Sequence, residues 1–458
     1  MKQVVDINQE LIKKYNLPIS RYTSYPTVPY WKEEIEVQAW KDTFITRFNI
    51  ENHTKGISLY VHLPFCESLC TYCGCNKRIT SNHKVEEEYL EAIEKEWKLY
   101  RNLMNQTPVI RELHLGGGTP TFFTPQNLQR LINILTKNSI IHPSREFSIE
   151  GHPNNTTKEH LQQLYTAGFR RISFGVQDND PEVQRLINRH QPFENVVRAT
   201  EQAREVGFHS INFDLIYGLP SQTLESIERT MQQVITLRPD RIAFYSYAHT
   251  PWTNKGQRLF DETNLPSPLE KIKLYMKGKE LLTAEGYVDI GMDHFSLETD
   301  DLYKAWKKGK LHRSFMGYTT QNSGLLLGLG VSSISDVGNA FAQNDKILHN
   351  YYSDINAGKL SIKKGYFLSE EDTLFRRNIL DISCKGSTTF NEKQLPALEE
   401  FTFPVLAAFK ADGLVEFNKE YVEVTKLGHH FIRNICSAFD LYLQRNNATD
   451  RPLFSKAI

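Results

Sequence analysis

The sequence has no long apolar run, no excess of charge of either sign, and only six cysteines. No segment approaches the ~18 consecutive apolar residues of a membrane-spanning helix, and the longest candidate, GLLLGLGV from Gly324, is far too short. Lysine plus arginine and aspartate plus glutamate number 54 each, so the composition indicates no general affinity for nucleic acid or an anionic membrane. We therefore expect no membrane insertion and no nucleic-acid partner, and the ligand must be inferred from a local site.

The N-terminal stretch MKQVVDINQELIKKYN mixes acids and amides among its apolar residues. It lacks the apolar core of a secretory signal peptide, which predicts a cytoplasmic protein. Because the cytosol keeps thiols reduced, the cysteines favour metal or redox chemistry over a disulfide framework. No pattern in the sequence indicates an oligomer, and a monomer is the working expectation.

Short runs rich in β-branched and aromatic residues alternate with amphipathic helical segments. The runs span 57–63, 110–116, 145–151, 170–177, 210–218 and 241–248. In the segment 85–104, apolar residues recur at a spacing of three and four, and similar patterns follow the later runs. Six strand–helix units predict a parallel α/β sheet with right-handed crossovers. The pattern alone leaves a full barrel, a partial barrel and a flat doubly wound sheet open.

The strand–helix alternation fades after residue 250, and the sequence predicts three parts. Residues 1–50 resemble an arm, 51–365 hold the alternating unit with an extension, and 366–458 form a small auxiliary domain, mostly helical. In this last part, GLVEFNKEYVEVTKLGHHFIRNIC predicts two short strands leading into a helix, an outline similar to a winged helix. No dense basic face accompanies it, which favours packing on the barrel over DNA binding.

Unusual residues gather where the predicted strands end. They are Cys66, Gly116, Gly117, Gly118, Glu150, Gln177, Asp214 and Ala248. The carboxyl ends of parallel strands form the face on which α/β proteins build their sites. Each residue alone has an ordinary explanation, such as a turn, a capping carboxylate or a buried polar network. Their coincidence across six strands is typical of an enzyme.

Four of the six cysteines lie within ten residues, in FCESLCTYCGCN. Structural zinc sites usually draw ligand pairs from two separated knuckles, and no second Cys or His pair is nearby. Three thiolates on one loop suit a cubane 4Fe-4S cluster whose fourth iron is left open. The spacing therefore favours an iron–sulfur cluster over zinc.

The spacing C-x3-C-x-aromatic-C, with Tyr72 before the third cysteine, resembles the signature of the radical S-adenosylmethionine (SAM) enzymes. Within that superfamily the chain is most similar to the oxygen-independent coproporphyrinogen III oxidases. The resemblance covers nearly the whole chain, in YVHLPFCESLCTYCGCNKRIT and in RYTSYPT (21–27), LHLGGGTPT (113–121), GVQDND (175–180), DLIYGLP (214–220), GMDHF (291–295), GYTTQ (317–321), GVSSIS (330–335) and RNIC (433–436).

This resemblance implies a partial (βα)6 TIM-like barrel with an N-terminal arm and a small C-terminal domain. It implies that a 4Fe-4S cluster is bound by Cys66, Cys70 and Cys73, and that SAM chelates its unique iron. The residues expected to line this first SAM site are Tyr60, Tyr72, Gly117, Glu150 and Ile334. A second SAM-like pocket, for SAM or for part of the substrate, would be lined by Gly118, Thr119, Gln177, Arg189, Asp214 and Ala248.

The chemistry implied is radical decarboxylation of two propionate side chains of a tetrapyrrole to vinyl groups, as in anaerobic haem biosynthesis. The cluster needs a reducing electron donor, such as flavodoxin or ferredoxin. Cys75 is a further cysteine, which either lies near the substrate as a catalytic residue or packs as a spare thiol. Arg21 and Arg313 are candidates for the substrate carboxylates, because forked guanidinium donors match carboxylate geometry.

Three alternatives remain at this point. A haem chaperone shares the barrel and cluster motif, but that branch lacks both the GCN continuation after the third cysteine and the arm with RYTSYPT, which this chain has. A radical SAM enzyme acting on another tetrapyrrole is excluded by no single residue. A zinc-stabilised binding module is disfavoured by the cysteine spacing.

Overall fold

The computed structural model describes residues 9–445 together with residue 454, so the outermost parts of the predicted arm and C-terminal domain lie outside the described residues. Six parallel strands form its centre: β1 (Ile57–Leu63), β2 (Val109–Gly117), β3 (Ile140–Gly151), β4 (Arg171–Gln177), β5 (Ser210–Tyr217) and β6 (Arg241–Ser246). They match the six runs predicted from the sequence. The largest difference is the start of β3, which lies at Ile140 because an irregular stretch around Pro143 still pairs with β2.

The six strands lie side by side in chain order, from β1 to β6. A doubly wound sheet requires the strand order to reverse at one point, and this sheet has no such reversal. Consecutive right-handed crossovers therefore place the helices on the same side of the sheet, as in a barrel. The crossover helices are Val85–Arg101, Pro125–Thr136, Lys158–Thr166, Phe193–Val206 and Leu224–Leu237, and Pro268–Ala284 follows β6.

Both edges of the parallel core are extended rather than joined, and the sheet is open, with 13 strands in the described residues. The GLLLGLGV element forms a seventh parallel strand, Leu326–Leu329, beside β1. Antiparallel strands continue from it: Ile334–Asp336, Ala340–Asn344, Ile362–Phe367 and Lys32–Glu33. At the other edge His294–Ser296 pairs with β6, followed by Val288–Gly291. The expected partial barrel is confirmed as an open sheet.

A short hairpin enters the interior of the partial barrel. Its strands are His312–Ser314 and Gly317–Thr319. Thr319 donates to Glu112 of β2 at 2.5 Å, and Thr320 donates to Glu146 of β3 at 2.5 Å. These two acids are register partners on β2 and β3, so both strands hold the hairpin inside the partial barrel.

The arm and the C-terminal region pack together in a second apolar core. Tyr15 contacts Phe409 and Phe431, and Tyr22 donates to Asp440 at 3.1 Å. The C-terminal region contains the helices Glu370–Lys385, Phe403–Ala411 and Ile432–Ser437 and a three-stranded sheet of Ser387–Thr389, Val415–Phe417 and Tyr421–Val424. The domain boundaries themselves stay predictions.

Further helices are Gln9–Tyr15, Val37–Glu51, Pro181–Leu186, Asp301–Lys307, Leu348–Asn356, Leu395–Ala397 and Leu441–Arg445. Among the described residues, no helix combines the length and the apolarity that crossing a bilayer requires.

Candidate active site

A cavity of about 440 Å³ opens at the carboxyl ends of the parallel strands. This volume is within the usual range of small-molecule sites, ~300–1,000 Å³. Its lining includes most of the site residues predicted from the sequence: Cys66, Cys70, Tyr72, Cys73, Cys75, Gly117, Gly118, Thr119, Glu150, Gln177, Arg189 and Asp214. Residues from five different strand ends thus meet at one cavity.

Three predicted residues, Tyr60, Ala248 and Ile334, do not line this cavity. Tyr60 lies just behind it, with its ring stacked on His114 at a centroid distance of 5.9 Å. Ile334 lies beside the neighbouring strand residue Gly328, which pairs with Tyr60. The carbonyl oxygen of Ala248 accepts a hydrogen bond from Gln257, which also donates to the Tyr72 carbonyl.

Backbone pairing fixes the ends of the cysteine loop. Phe65–Cys66 pairs in parallel with Arg78–Ile79, and the amide of Thr80 donates to the Cys66 carbonyl at 2.9 Å. The amide of Gly118 donates to the Leu63 carbonyl at 2.8 Å, which ties the end of β2 to the start of the loop. The loop is therefore anchored on both sides before any ligand binds.

Two donors from other segments reach the thiols of this loop. Thr119 Oγ1 donates to Cys66 Sγ at 3.4 Å, and Arg189 Nη1 donates to Cys70 Sγ at 3.6 Å. Burial raises the pKa of Cys66 to about 11, whereas a hydrogen bond from Cys75 lowers the pKa of Cys73 to about 6. A nearby guanidinium group stabilises thiolates, the form in which cysteine binds metal.

A relay of side chains orients Glu150 at the cavity wall. Arg171 donates to Ser148 Oγ at 3.0 Å, so the Ser148 hydroxyl can donate to His114 Nδ1 at 2.7 Å. The other ring nitrogen, Nε2, then donates to Glu150 Oε1 at 3.3 Å, and the Gly117 amide donates to Oε2 at 3.2 Å. Burial opposes ionisation, but these donors outweigh it and lower the pKa of Glu150. The site thus presents an ionised carboxylate.

A second carboxylate, Asp214, lies further along the sheet. It accepts from Ser173 Oγ at 2.8 Å and from Asn212 Nδ2 at 2.9 Å. Burial raises its pKa to about 6, since these neutral donors only partly compensate for lost solvation. Asp214 can therefore bind a hydroxyl or ammonium group at lower cost than a fully solvated carboxylate can.

An irregularity in β4 directs Gln177 into the cavity. The pairing register with β5 shifts between Gly175 and Gln177, and Gln177 adopts a positive φ of 67°. Bulges of this kind redirect side chains and are common beside functional sites. Arg189 packs against the bulge and donates to the Gly175 carbonyl, while its buried Nε has no partner in the described residues.

The cavity also contains residues that the sequence analysis missed. They include His114, Ser148, Arg171, Ser173, Asn212, Tyr245, His294, Met316 and Tyr318. Several follow the period-two alternation of their strands, as in Arg171 and Ser173, which lie on one face of β4. That alternation was the signal available in the sequence, and it marks the strand face that points into the barrel.

The residues present fit a 4Fe-4S cluster with SAM. Three thiols of one loop face the cavity, and a Cβ at Gly118 would lie 2.9 Å from Cys66 Sγ, so glycine leaves the space beside that sulfur open. A Cβ at Gly116 would lie 3.0 Å from Glu150 Oε1, so glycine also leaves the carboxylate accessible. Within the described residues, no three His, Cys, Asp or Glu side chains lie close enough together to hold one metal ion. A cubane cluster does not require such a group, because each of its thiolates binds a different iron.

Comparison with known proteins supports the same assignment. The radical SAM superfamily matches residues 60–234. The chain is 39% identical over 452 residues to the oxygen-independent coproporphyrinogen III oxidase of Helicobacter pylori, covering 96% of this chain and 97% of the relative. The Escherichia coli protein of the same name is 39% identical over 454 residues, with 97% of each chain covered.

A solved structure agrees over the same extent. The structure of coproporphyrinogen III oxidase (HemN) from Escherichia coli, described as a radical SAM enzyme, superposes with a TM-score of 0.89 at 38% identity. The superposition covers 96% of this chain and 100% of the other. Fold and sequence thus agree along nearly the full length, including the arm and the C-terminal region.

Proposed function

Because the chain belongs to the oxygen-independent coproporphyrinogen III oxidase family of radical SAM enzymes, we propose that it oxidatively decarboxylates two propionate side chains of coproporphyrinogen III. Each round removes a β-hydrogen, carbon dioxide and one electron from a propionate and leaves a vinyl group, so two rounds give protoporphyrinogen IX. The observation that carries this proposal is that Cys66, Cys70, Cys73 and the ionised Glu150 line one cavity in a chain similar to these enzymes along nearly its full length.

Superfamily membership implies a 4Fe-4S cluster and SAM as cofactors. When bound, they supply a one-electron reductant and a radical that abstracts hydrogen. Cys66, Cys70 and Cys73 would hold the cluster through three thiolates and leave one iron for SAM. Thr119 and Arg189 donate to two of these sulfurs, and hydrogen bonds of this kind tune the potential of a cluster.

Glu150 and the backbone at Gly117 would hold the polar end of SAM beside the cluster. The carboxylate suits an ammonium group, and its orientation is fixed by His114 and by the Gly117 amide. Tyr72, in the cysteine loop, offers an aromatic face to the adenine. Tyr60 supports this wall from behind through its contact with His114.

Gly118, Gln177, Arg189 and Asp214 would form the second pocket, for another SAM or for part of the substrate. Asp214 supplies an acceptor, and Gln177 supplies both donors and an acceptor. Cys75 is exposed on the cysteine loop and lines the cavity, which supports a role near the substrate. Delivery of electrons to the cluster would fall to a reduced flavodoxin or ferredoxin.

Replacing Glu150 by glutamine should weaken SAM binding by about 10- to 100-fold, since a charge-assisted hydrogen bond contributes ~1.5–3 kcal/mol. Glutamine keeps the size of the side chain but removes the negative charge that faces the ammonium group. The measurement is SAM affinity by calorimetry on iron-loaded protein. Glu159→Gln, on an exposed helix start, serves as the matched control, and an unchanged affinity in Glu150→Gln would remove this residue from the SAM site.

The proposed function is tested by an anaerobic assay with coproporphyrinogen III, SAM and a reductant. We expect vinyl product together with about one 5′-deoxyadenosine per vinyl group, both quantified by mass spectrometry. Formation of deoxyadenosine without vinyl product would support the radical SAM site but contradict coproporphyrinogen III as the substrate, and would indicate another tetrapyrrole. Haem retained on the protein with neither product would indicate a chaperone.

A further inference from the structure

Three arginines from distant parts of the chain meet beside the active-site cavity. Arg21 comes from the N-terminal arm, Arg313 from the hairpin strand His312–Ser314, and Arg433 from the helix Ile432–Ser437. Together with Asp293 they line a small cavity of about 50 Å³. We refer to these three side chains as the arginine cluster.

Part of this cluster has a structural explanation. Arg433 donates through Nε to the Ser20 carbonyl at 3.1 Å and through Nη2 to the Ile19 carbonyl. Arg313 donates through Nη2 to the Arg21 carbonyl at 3.1 Å. Both arginines therefore hold the backbone of the arm against the barrel.

That structural role does not account for the rest of the Arg313 guanidinium group. Arg313 is only 5% exposed, and its Nε and Nη1 have no hydrogen-bond partner in the described residues. A buried charged donor without a partner is costly, so such groups usually mark a missing acceptor. These two unpaired donors of Arg313 are thus an independent indication of a ligand.

The local charge indicates an anionic ligand. Asp293 is the carboxylate that faces all three arginines, and its nearest approach is 3.9 Å, to Arg21. The next acid, Asp289, is already engaged by Lys279 at 2.6 Å and lies beside His429 and His430. Three guanidinium groups around one carboxylate leave a positive surplus, which a bound anion would neutralise.

The cluster lies directly behind one wall of the active-site cavity. The Arg21 guanidinium is 4.9 Å from the Tyr245 ring centroid, and that of Arg313 is 4.8 Å from the Tyr318 ring centroid. Both rings line the active-site cavity, and Tyr245 lines the small cavity as well. Tyr245 belongs to β6, whereas the cysteine loop follows β1. The cluster and the thiols therefore adjoin different parts of the same cavity wall.

We propose that the arginine cluster binds propionate carboxylates of the tetrapyrrole that are not reacting, while another propionate lies at the cysteine loop. The inference rests on the proposed function, because it takes a tetracarboxylate as the substrate. Arginine donates charge-assisted hydrogen bonds to carboxylates, and Nε and Nη1 of Arg313 are two donors that have no partner in the described residues and can each bind a carboxylate oxygen. The small cavity exceeds the ~10–15 Å³ that a single water needs, so it has room for a carboxylate group.

This assignment gives the arm and the C-terminal region a shared role. Arg21 and Arg433 belong to these two parts, and each contributes a charge to the same site. The arm would then select substrates by the number and placement of their carboxylates. A porphyrin without carboxylates in these positions would lose the contact.

The test compares binding of coproporphyrin III, a stable tetracarboxylate, with binding of its neutral tetramethyl ester to the holoenzyme. We expect Arg313→Gln to weaken binding of the tetracarboxylate by about tenfold or more and to leave the weaker binding of the ester unchanged. Arg313→Lys should restore part of the affinity through its charge. In turnover, KM for coproporphyrinogen III should rise by more than kcat falls.

Arg111→Gln is the matched control, because Arg111 donates to Gln321 and to the Lys55 carbonyl, away from the cluster. Melting temperature and iron content are measured on the same samples. If Arg313→Gln does not fold, Arg21→Gln replaces it, since the Arg21 side chain is 33% exposed and donates to the Ser246 carbonyl.

Unchanged affinity for the tetracarboxylate in a folded Arg313→Gln or Arg21→Gln variant would overturn the inference. The arginine cluster would then only hold the arm against the barrel. A parent enzyme that binds no tetracarboxylate would overturn it too. If binding of coproporphyrin III depends on the arginine cluster but no vinyl product forms in turnover, the proposed function is contradicted and the carboxylate site is supported.

Discussion

Replacing Cys66, Cys70 or Cys73 by alanine should abolish cluster binding and reduce 5′-deoxyadenosine formation to background. Each of the three thiols faces the same cavity from one anchored loop, and the fourth thiol of that loop, Cys75, lies outside the C-x3-C-x2-C spacing. Loss of one thiolate leaves an iron without its protein ligand. Iron and sulfide content, the visible absorption of the cluster and deoxyadenosine yield after anaerobic reconstitution provide the measurement.

Cys384→Ala is the matched control for these variants. Cys384 is buried in a different apolar cluster, far along the chain from the cysteine loop. It should retain full iron content and full deoxyadenosine yield. A variant at Cys66, Cys70 or Cys73 with unchanged iron content would contradict the ligand assignment at that position.

Replacing Gly118 by valine should have an effect nearly as large. A Cβ at this position would lie 2.7 Å from the Pro64 carbonyl oxygen and 2.9 Å from Cys66 Sγ. The first of these contacts is with backbone, so the start of the cysteine loop must move to relieve it. We expect loss of most of the bound iron and of deoxyadenosine formation, measured as for the cysteine variants.

Gly74→Ala provides the control within the same loop. A Cβ there would meet Asn254 at 3.7 Å, an ordinary van der Waals distance. Iron content should therefore stay close to that of the parent protein. Normal cluster content in Gly118→Val would show that the loop tolerates displacement, contrary to the rigid anchoring inferred from its backbone pairing.

The central fold was predictable because its strands carry strong local signals. Buried parallel strands appear as short apolar runs, as in ISLYVHL, which becomes β1 with nearly every residue buried. What the pattern could not provide was the strand order, which depends on contacts between segments far apart in sequence. The order β1 to β6 without a reversal excludes the doubly wound alternative.

The candidate site was predictable where a residue ends a strand. Glu150 is the last residue but one of β3, Gln177 is the last of β4, Asp214 lies in the second half of β5, and all three line the cavity. Residues in the strand interior, such as His114 and Ser148, were missed, although their period-two spacing marks the inward face. Arg433 could not be assigned, because only the tertiary structure brings the C-terminal helix to the arm.

The central claim is that this chain decarboxylates propionate side chains by abstracting their β-hydrogens. Its most direct test is turnover of coproporphyrinogen III deuterated at the propionate β-carbons, followed by mass analysis of the deoxyadenosine. We expect deuterium in the deoxyadenosine in step with vinyl formation. Vinyl product accompanied by unlabelled deoxyadenosine would contradict the account.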